Sequence, residues 1–311
     1  MTRALALHIA VLVALFAAQY FLPPYHHTNI ARIMVLAVFA MGYNIAFGYT
    51  GLLSLGHALF FAAGLYATGL GIELWGLSAG PALLLGLLAG VAIAAATGVL
   101  ALRTGGVSFM IVTLMFAQAG YLTILYFGAY TRGDEGFVIT RAARNLGGVD
   151  LSSDTPRYFA ALILFGVGLL VNLALTRSNL GRSMIAMREN EERSRMLGYN
   201  PFRIKLTALV ISGLYAGAAG AAYGVLFGYV GASFATIQYS ILPLLYVLLG
   251  GAGTTLGPFL GALLMFYLID ISSGYTTAHL FVVGAALLVL VLFAPKGILG
   301  WVRDKGAKWL P

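Results

Sequence analysis

The feature that most constrains this chain is a succession of apolar runs almost free of charge, most of them close to bilayer length. A helix rises about 1.5 Å per residue, so crossing the hydrocarbon core takes about 20 apolar residues. Such runs occupy residues 5–22, 30–47, 52–70, 82–102, 107–127, 158–175, 206–227, 237–249, 256–271 and 279–293. Backbone in lipid must satisfy its own polar groups. The expected fold is therefore all-α, a polytopic membrane protein of about ten transmembrane helices, some short or broken. One membrane-spanning domain is expected over 1–311. The run 237–249 is short enough to be re-entrant, or to continue past Gly250 and Gly251. Gly51, Ser54 and Gly56 break the start of the third run. Composition agrees: 60% of residues are hydrophobic and only 9% charged, against about 25% charged in soluble domains. The first run also has signal-peptide length, with 14–18 as a weak cleavage region, but only Arg3 precedes it and the topology closes without cleavage.

Basic residues in connecting segments orient such a chain. Residues 177–205 carry Arg177, Arg182, Arg188, Arg193, Arg195, Arg203 and Lys205, Arg103 follows the fourth run, and the tail carries Lys296, Arg303, Lys305 and Lys308. All fall on one side if every run crosses, which puts both termini in the cytoplasm. The segment 128–157 then lies outside, where Asp134, Glu135, Asp150 and Asp154 offset four arginines. Topology explains the net charge of +8 better than a nucleic-acid surface does. Small residues recur at helical spacing in Gly86, Gly90, Ala94 and in Gly213, Gly217, Ala221, which reads as close helix packing. Gly48-Tyr49-Thr50-Gly51 is echoed by Gly228-Tyr229-Val230-Gly231. Matching breaks in two places are a transporter trait.

Much chemistry is excluded. There is no cysteine, hence no disulfide or thiolate metal site, and neither a metal nor another cofactor is expected. No carboxylate sits near the middle of a run: Asp270 lies by the end of one, Arg32 near the start of another, and His57 is well within its own. An ion-coupled secondary transporter needs such groups. That reading stays open but is disfavoured. The segment Gly250-Gly251-Ala252-Gly253-Thr254-Thr255 has glycines without the lysine of a phosphate-binding loop. No catalytic constellation is expected, so the chain is not expected to be an enzyme, and its power is expected to enter from elsewhere.

The segment 178–205 is long for a helix connection and short for a domain. Two short helices fit it. The first covers about 181–188 with Met184, Ile185 and Met187 as apolar contacts. The second is capped by Asn190, led by Glu191 and Glu192 and ended by Gly198, before a turn at Asn200-Pro201. A solvated connector is the bland reading. The functional one is a docking knob whose methionines adapt to a partner's groove.

This segment, with Gly181-Arg182, Arg188-Glu189-Asn190-Glu191 and Leu197-Gly198-Tyr199-Asn200, resembles the coupling loop of ABC importer permeases of the branched-chain amino acid branch. Further motifs agree: Gly48 to Ala58 with Phe60, Phe61, Gly64 and Tyr66; Leu249 to Thr254 with Gly257-Pro258; and Ala294-Pro295-Lys296-Gly297-Ile298 with Gly300. The LivM-type member is more similar than its LivH-type sister. The resemblance implies a bacterial inner-membrane heterodimer with a sister permease, two ABC ATPase subunits below, a periplasmic solute-binding protein above, and an amino acid or related small molecule as solute. It implies that Gly181, Arg182, Arg188, Glu189, Asn190, Glu191 and Gly198 belong to the ATPase-coupling loop. Tyr49, Gly51, Ser54, Gly56 and His57 are candidates for the translocation path, with helix packing and a buried, hydrogen-bonded His57 as the plainer alternative.

Overall fold

The computed structural model describes residues 2–278, 281, 283–285, 288, 292 and 296–305. The expected span 279–293 falls largely outside the described residues, as do Ala294, Pro295 and Lys308. Among the described residues eight helices are long and apolar enough to cross a membrane. They are α1 (Thr2–Phe21), α2 (Pro24–Asn44, prolonged by a π-turn at Ile45–Tyr49), α3 (His57–Trp75) and α4 (Ala79–Ala101), followed by α5 (Val107–Tyr126), α7 (Asp154–Arg177), α10 (Pro201–Phe227) and α12 (Gly257–Tyr275). Between α5 and α7 lies a short helix, α6 (Gly128–Thr131). Helices α8 (Asn179–Glu189) and α9 (Glu191–Met196) join α7 to α10, and a closing helix, α13, spans Gly297–Lys305. Helix α11 (Ile237–Gly250) has only 14 residues, so it is a part-span, entered through irregular chain from Gly228.

Burial sorts the spans. Helix α2 is 89% enclosed and α5 only 17%, so α2 is central and α5 peripheral. Small residues set how closely the central helices approach. A Cβ on Gly90 would fall 2.6 Å from the Cα of Gly217, and one on Gly213 would fall 2.2 Å from the Cβ of Ala94. The two small-residue rows seen in the sequence thus meet along α4 and α10, giving backbone contact where lipid offers no hydrophobic drive. On the other side of α10, a Cβ on Gly220 would lie 2.0 Å from the carbonyl of Phe61 in α3.

The connections segregate to two faces. On one, β1 (Phe137–Val138) pairs antiparallel with β4 (Tyr229–Val230), tying the segment after α6 to the end of α10. There Gly228, at φ +77°, ends α10, and the Arg144 guanidinium donates to the carbonyls of Val225 and Leu226. A cation on terminal carbonyls satisfies groups the helix leaves unpaired. A second pair, β2 (Asn145–Leu146) with β3 (Val149–Asp150), closes this lid, and Asp150 accepts from the backbone and hydroxyl of Ser152 at 2.8 Å each. Those bonds hold its carboxyl below the usual carboxylate range. The opposite face carries residues 50–56, 102–106, 178–200 and 251–256.

Candidate transport and coupling site

The two sequence echoes are two helix breaks on opposite faces. Helix α2 widens into its π-turn at Ile45–Tyr49, Gly51 takes φ +78°, and regular structure resumes only at His57. Helix α10 ends at Gly228, and the chain re-enters the protein before α11 starts at Ile237. Exposed backbone of this kind is tolerated at membrane depth only where protein or water satisfies it. Here the restarting ends meet. The Ala58 N–H donates to the Ser240 hydroxyl at 3.0 Å, joining the first turn of α3 to that of α11. His57 Nε2 pairs with the Ser212 hydroxyl of α10 at 2.6 Å, while its Nδ1 has no partner. The imidazole is fully buried and edge-on to Tyr43 at 4.6 Å.

From this junction a column of rings runs toward the face bearing β1 and β4. Phe39 meets Phe61 at 5.0 Å, Phe61 meets Tyr239 at 5.1 Å, and Tyr239 meets Phe234 at 5.1 Å. Phe234 then meets Tyr223 at 4.9 Å, and Tyr223 meets Phe227 at 4.7 Å.

The other candidate path residues divide. Tyr49, Ser54 and Gly56 are buried, and Gly56 lies so close to Thr113 that a Cβ would fall 2.4 Å from its carbonyl. The Ser54 carbonyl accepts from Tyr43, and its hydroxyl accepts from the Gly56 N–H at 3.2 Å. Gly51 is exposed and borders a cavity of about 510 Å³ with Phe109, Arg188, Glu191 and Lys205.

Helices α8 and α9 form as the sequence expects. Ser178 caps α8 by accepting from Gly181, and Asn190 caps α9 by accepting from the Arg193 N–H at 2.8 Å. Gly198 takes φ +88° just past α9, and Asn200 with Pro201 opens α10. Gly181 is needed for close approach, since a Cβ there would meet the Leu175 carbonyl at 2.2 Å. Arg182 and Glu189 face solvent. Glu191 pairs with Lys205 at 2.6 Å and more loosely with Arg195 at 3.5 Å. One expectation is corrected: Met184 and Met187 are buried against the protein's own core, because they share one face of α8. The apolar groups turned outward are Ile185, Met196, Leu197, Tyr199 and Phe202.

Arg188 turns back toward the spans. Its guanidinium donates to the Gly48 carbonyl in the π-turn of α2 and lies against Gly253, while its aliphatic stem lies against Gly51. Asn44, one turn earlier, accepts from the Gly253 N–H at 2.9 Å and donates to the Thr254 carbonyl at 2.9 Å. The loop helix, the broken end of α2 and the glycine-rich turn after α11 therefore share one junction. Sequence reading missed Asn44, Ser212 and Ser240. The polar residues of α10 and α11 were legible, but only tertiary contact gives them partners. Among the described residues no three His, Asp or Glu side chains gather as metal ligands.

Residues 27–292 match the family described as branched-chain amino acid transport system, permease component. The high-affinity branched-chain amino acid transport system permease protein LivM of Escherichia coli K12 is 30% identical, over 96% of this chain and 76% of its own length. LivM of Salmonella typhimurium LT2 is also 30% identical, over 88% of this chain and 69% of its own. LivH of Escherichia coli K12, named as a permease of the same kind of system, is 26% identical over 85% of this chain and 91% of its own. No solved structure matches significantly. With eight apolar spans among the described residues, two helix breaks that meet inside the bundle, and a family match over most of its length, the chain belongs to the branched-chain amino acid transport system permease family.

Proposed function

We propose that this chain forms half of the translocation path of an ATP-driven importer for branched-chain or related hydrophobic amino acids. It pairs with a sister permease in a bacterial inner membrane, with both termini in the cytoplasm. Two ATPase subunits hydrolyse ATP beneath it, and a periplasmic binding protein delivers solute. Residues 178–205, within a single permease domain, are the coupling loop: Arg182, Glu189 and the outward apolar groups dock, while Arg188 carries motion inward. The observation that carries this reading is the Arg188 contact with Gly48, because it joins a surface knob directly to a broken span. The rings and small residues around the His57 junction suit an aliphatic side chain, and the path residues Tyr49, Gly51, Ser54, Gly56 and His57 flank that break.

The test is uptake into vesicles holding the assembled complex, with ion gradients collapsed and ATP supplied. Continued uptake is expected. Flux that follows a sodium or proton gradient, and is indifferent to nucleotide, would overturn the proposal. Reversing Glu189 to Arg is expected to release the co-purifying ATPase.

A further inference from the structure

The architecture so far leaves Arg32 unexplained. It lies in the first half of α2, the most enclosed of the apolar spans. A guanidinium in a membrane helix is costly and marks a functional site unless something pairs with it. Among the described residues Arg32 forms no ion pair, and its Nε is closed off from solvent without a hydrogen-bond partner. Its contact is a ring: the guanidinium carbon stands 5.2 Å from the centre of Phe227. Arg157 approaches the same ring at 5.9 Å, and its Nε is likewise without a partner, but its terminal nitrogens are held by the Asp154 carboxylate at 3.1 Å and by the Ser152 carbonyl, so its charge is paired. Arg32 therefore carries an uncompensated charge.

Its position gives that charge a use. Phe227 is the outermost ring of the column that leads inward to the His57 junction. At the inner end stand the first turns of α3 and α11, whose N–H groups add partial positive charge. A fixed cation beside a wall of rings matches a molecule with a carboxylate next to an apolar side chain. The planar guanidinium fork suits a carboxylate in two-point contact.

We propose that Arg32 and the column from Phe227 to Phe39 form a solute subsite on the translocation path, the guanidinium receiving the carboxylate of a small amino acid and the rings its side chain. This deepens the importer reading and rests on it.

The chain has no cysteine, so Arg32→Cys gives a single reporter thiol on this subunit. In reconstituted complex the thiol is expected to react with a membrane-impermeant charged methanethiosulfonate, and more slowly while solute-loaded binding protein turns over. Uptake by Arg32→Cys is expected to fall at least tenfold. It should recover after modification with the aminoethyl reagent, which restores a positive charge, but not with the neutral methyl reagent. Reaction only with a lipid-soluble reagent would place Arg32 against lipid and overturn the proposal. Equal recovery with both reagents would do so too. If Arg32→Cys does not assemble, Arg32→Lys and Arg32→Gln decide: Lys should keep uptake at a raised apparent KM and Gln should lose it, and equal behaviour of the two would overturn the subsite. Loss of ATP-dependent uptake in the wild-type complex would instead sink the importer reading itself.

Discussion

Replacing Arg188 with Met keeps most of the aliphatic stem and removes the charged head that reaches Gly48. A hydrogen bond from a charged donor contributes about 1.5–3 kcal/mol. Arg188 is exposed, so solvent screens the bond and the lower end applies, about 1.5 kcal/mol, close to tenfold in an equilibrium. The contact lies between the loop and α2, away from the outward apolar face of Ile185, Met196 and Leu197. The loss should therefore fall on coupling and spare docking. In proteoliposomes, ATPase subunits should still co-purify with Arg188→Met and basal hydrolysis should persist, while solute moved per ATP drops about tenfold. Release of the ATPase by this change would show that Arg188 is itself a docking contact. Unchanged solute per ATP would show that the Gly48 bond transmits nothing. Either result refutes the argument, and Glu189→Arg, on the exposed side, is the contrasting control.

Three further outcomes follow from the geometry. Gly220→Ala forces a Cβ to within 2.0 Å of the Phe61 carbonyl, where contacts normally stand at about 3.3 Å or more, so α3 and α10 must part. A loss of about 1–3 kcal/mol is expected in the thermal unfolding of the solubilised complex, and Gly105→Ala, with open space around it, should show none. His57→Ala should lower transport while ATPase subunits still co-purify, because the His57–Ser212 bond lies inside the bundle, away from the loop face. Loss of the ATPase would contradict that placement. Asp150 has a depressed folded-state value, so its support of the β2–β3 lid is present above the unfolded value of about 3.9 and is lost as pH falls through the folded one. Amide protection of residues 149–153, corrected for the intrinsic pH dependence of exchange, should fall on acidification, and Ser152→Ala should move that onset to higher pH.

How much of this was legible in sequence depends on the range of the physics involved. Apolar length and helix capping are local, so the spans, the helices α8 and α9, and the caps at Asn190 and Asn200 follow from the residues themselves. The break before His57 was signalled by Gly51, Ser54 and Gly56, and the shortness of α11 by its run length. Which way α8 turns its methionines was also written locally, since Met184 and Met187 share a face with Leu180 at helical spacing. A charged segment invites the opposite reading, with everything apolar offered to a partner. The orientation of Arg188 was not legible. Its acceptor is a carbonyl 140 positions away, freed by a π-turn that no propensity encodes. Arg32 was visible as a residue near the start of a run. That it lacks a carboxylate partner only emerges once α2, α7 and α10 are packed together.

The two breaks explain why a chain with so few buried charges can still move. A continuous helix bundle packed on glycine seams resists internal shear, because backbone contacts such as those of Gly90 with Gly217 leave no slack. Helices α2 and α11 are different: one ends in a π-turn and the other begins inside the bundle, so each can shift without stretching a full-length helix against both faces. Both terminate at the junction of Asn44, Gly48, Gly253 and Arg188. The start of α11 also holds the restart of α3 through Ser240. A displacement of α8 applied at Arg188 thus reaches the His57 junction through two rigid rods and few bonds. Contiguity is not coupling. The decisive measurement is a double-mutant cycle between Arg188→Met and Ser240→Ala on solute moved per ATP. Contact transmission requires non-additive losses, whereas additive losses would mean that the loop and the junction act independently.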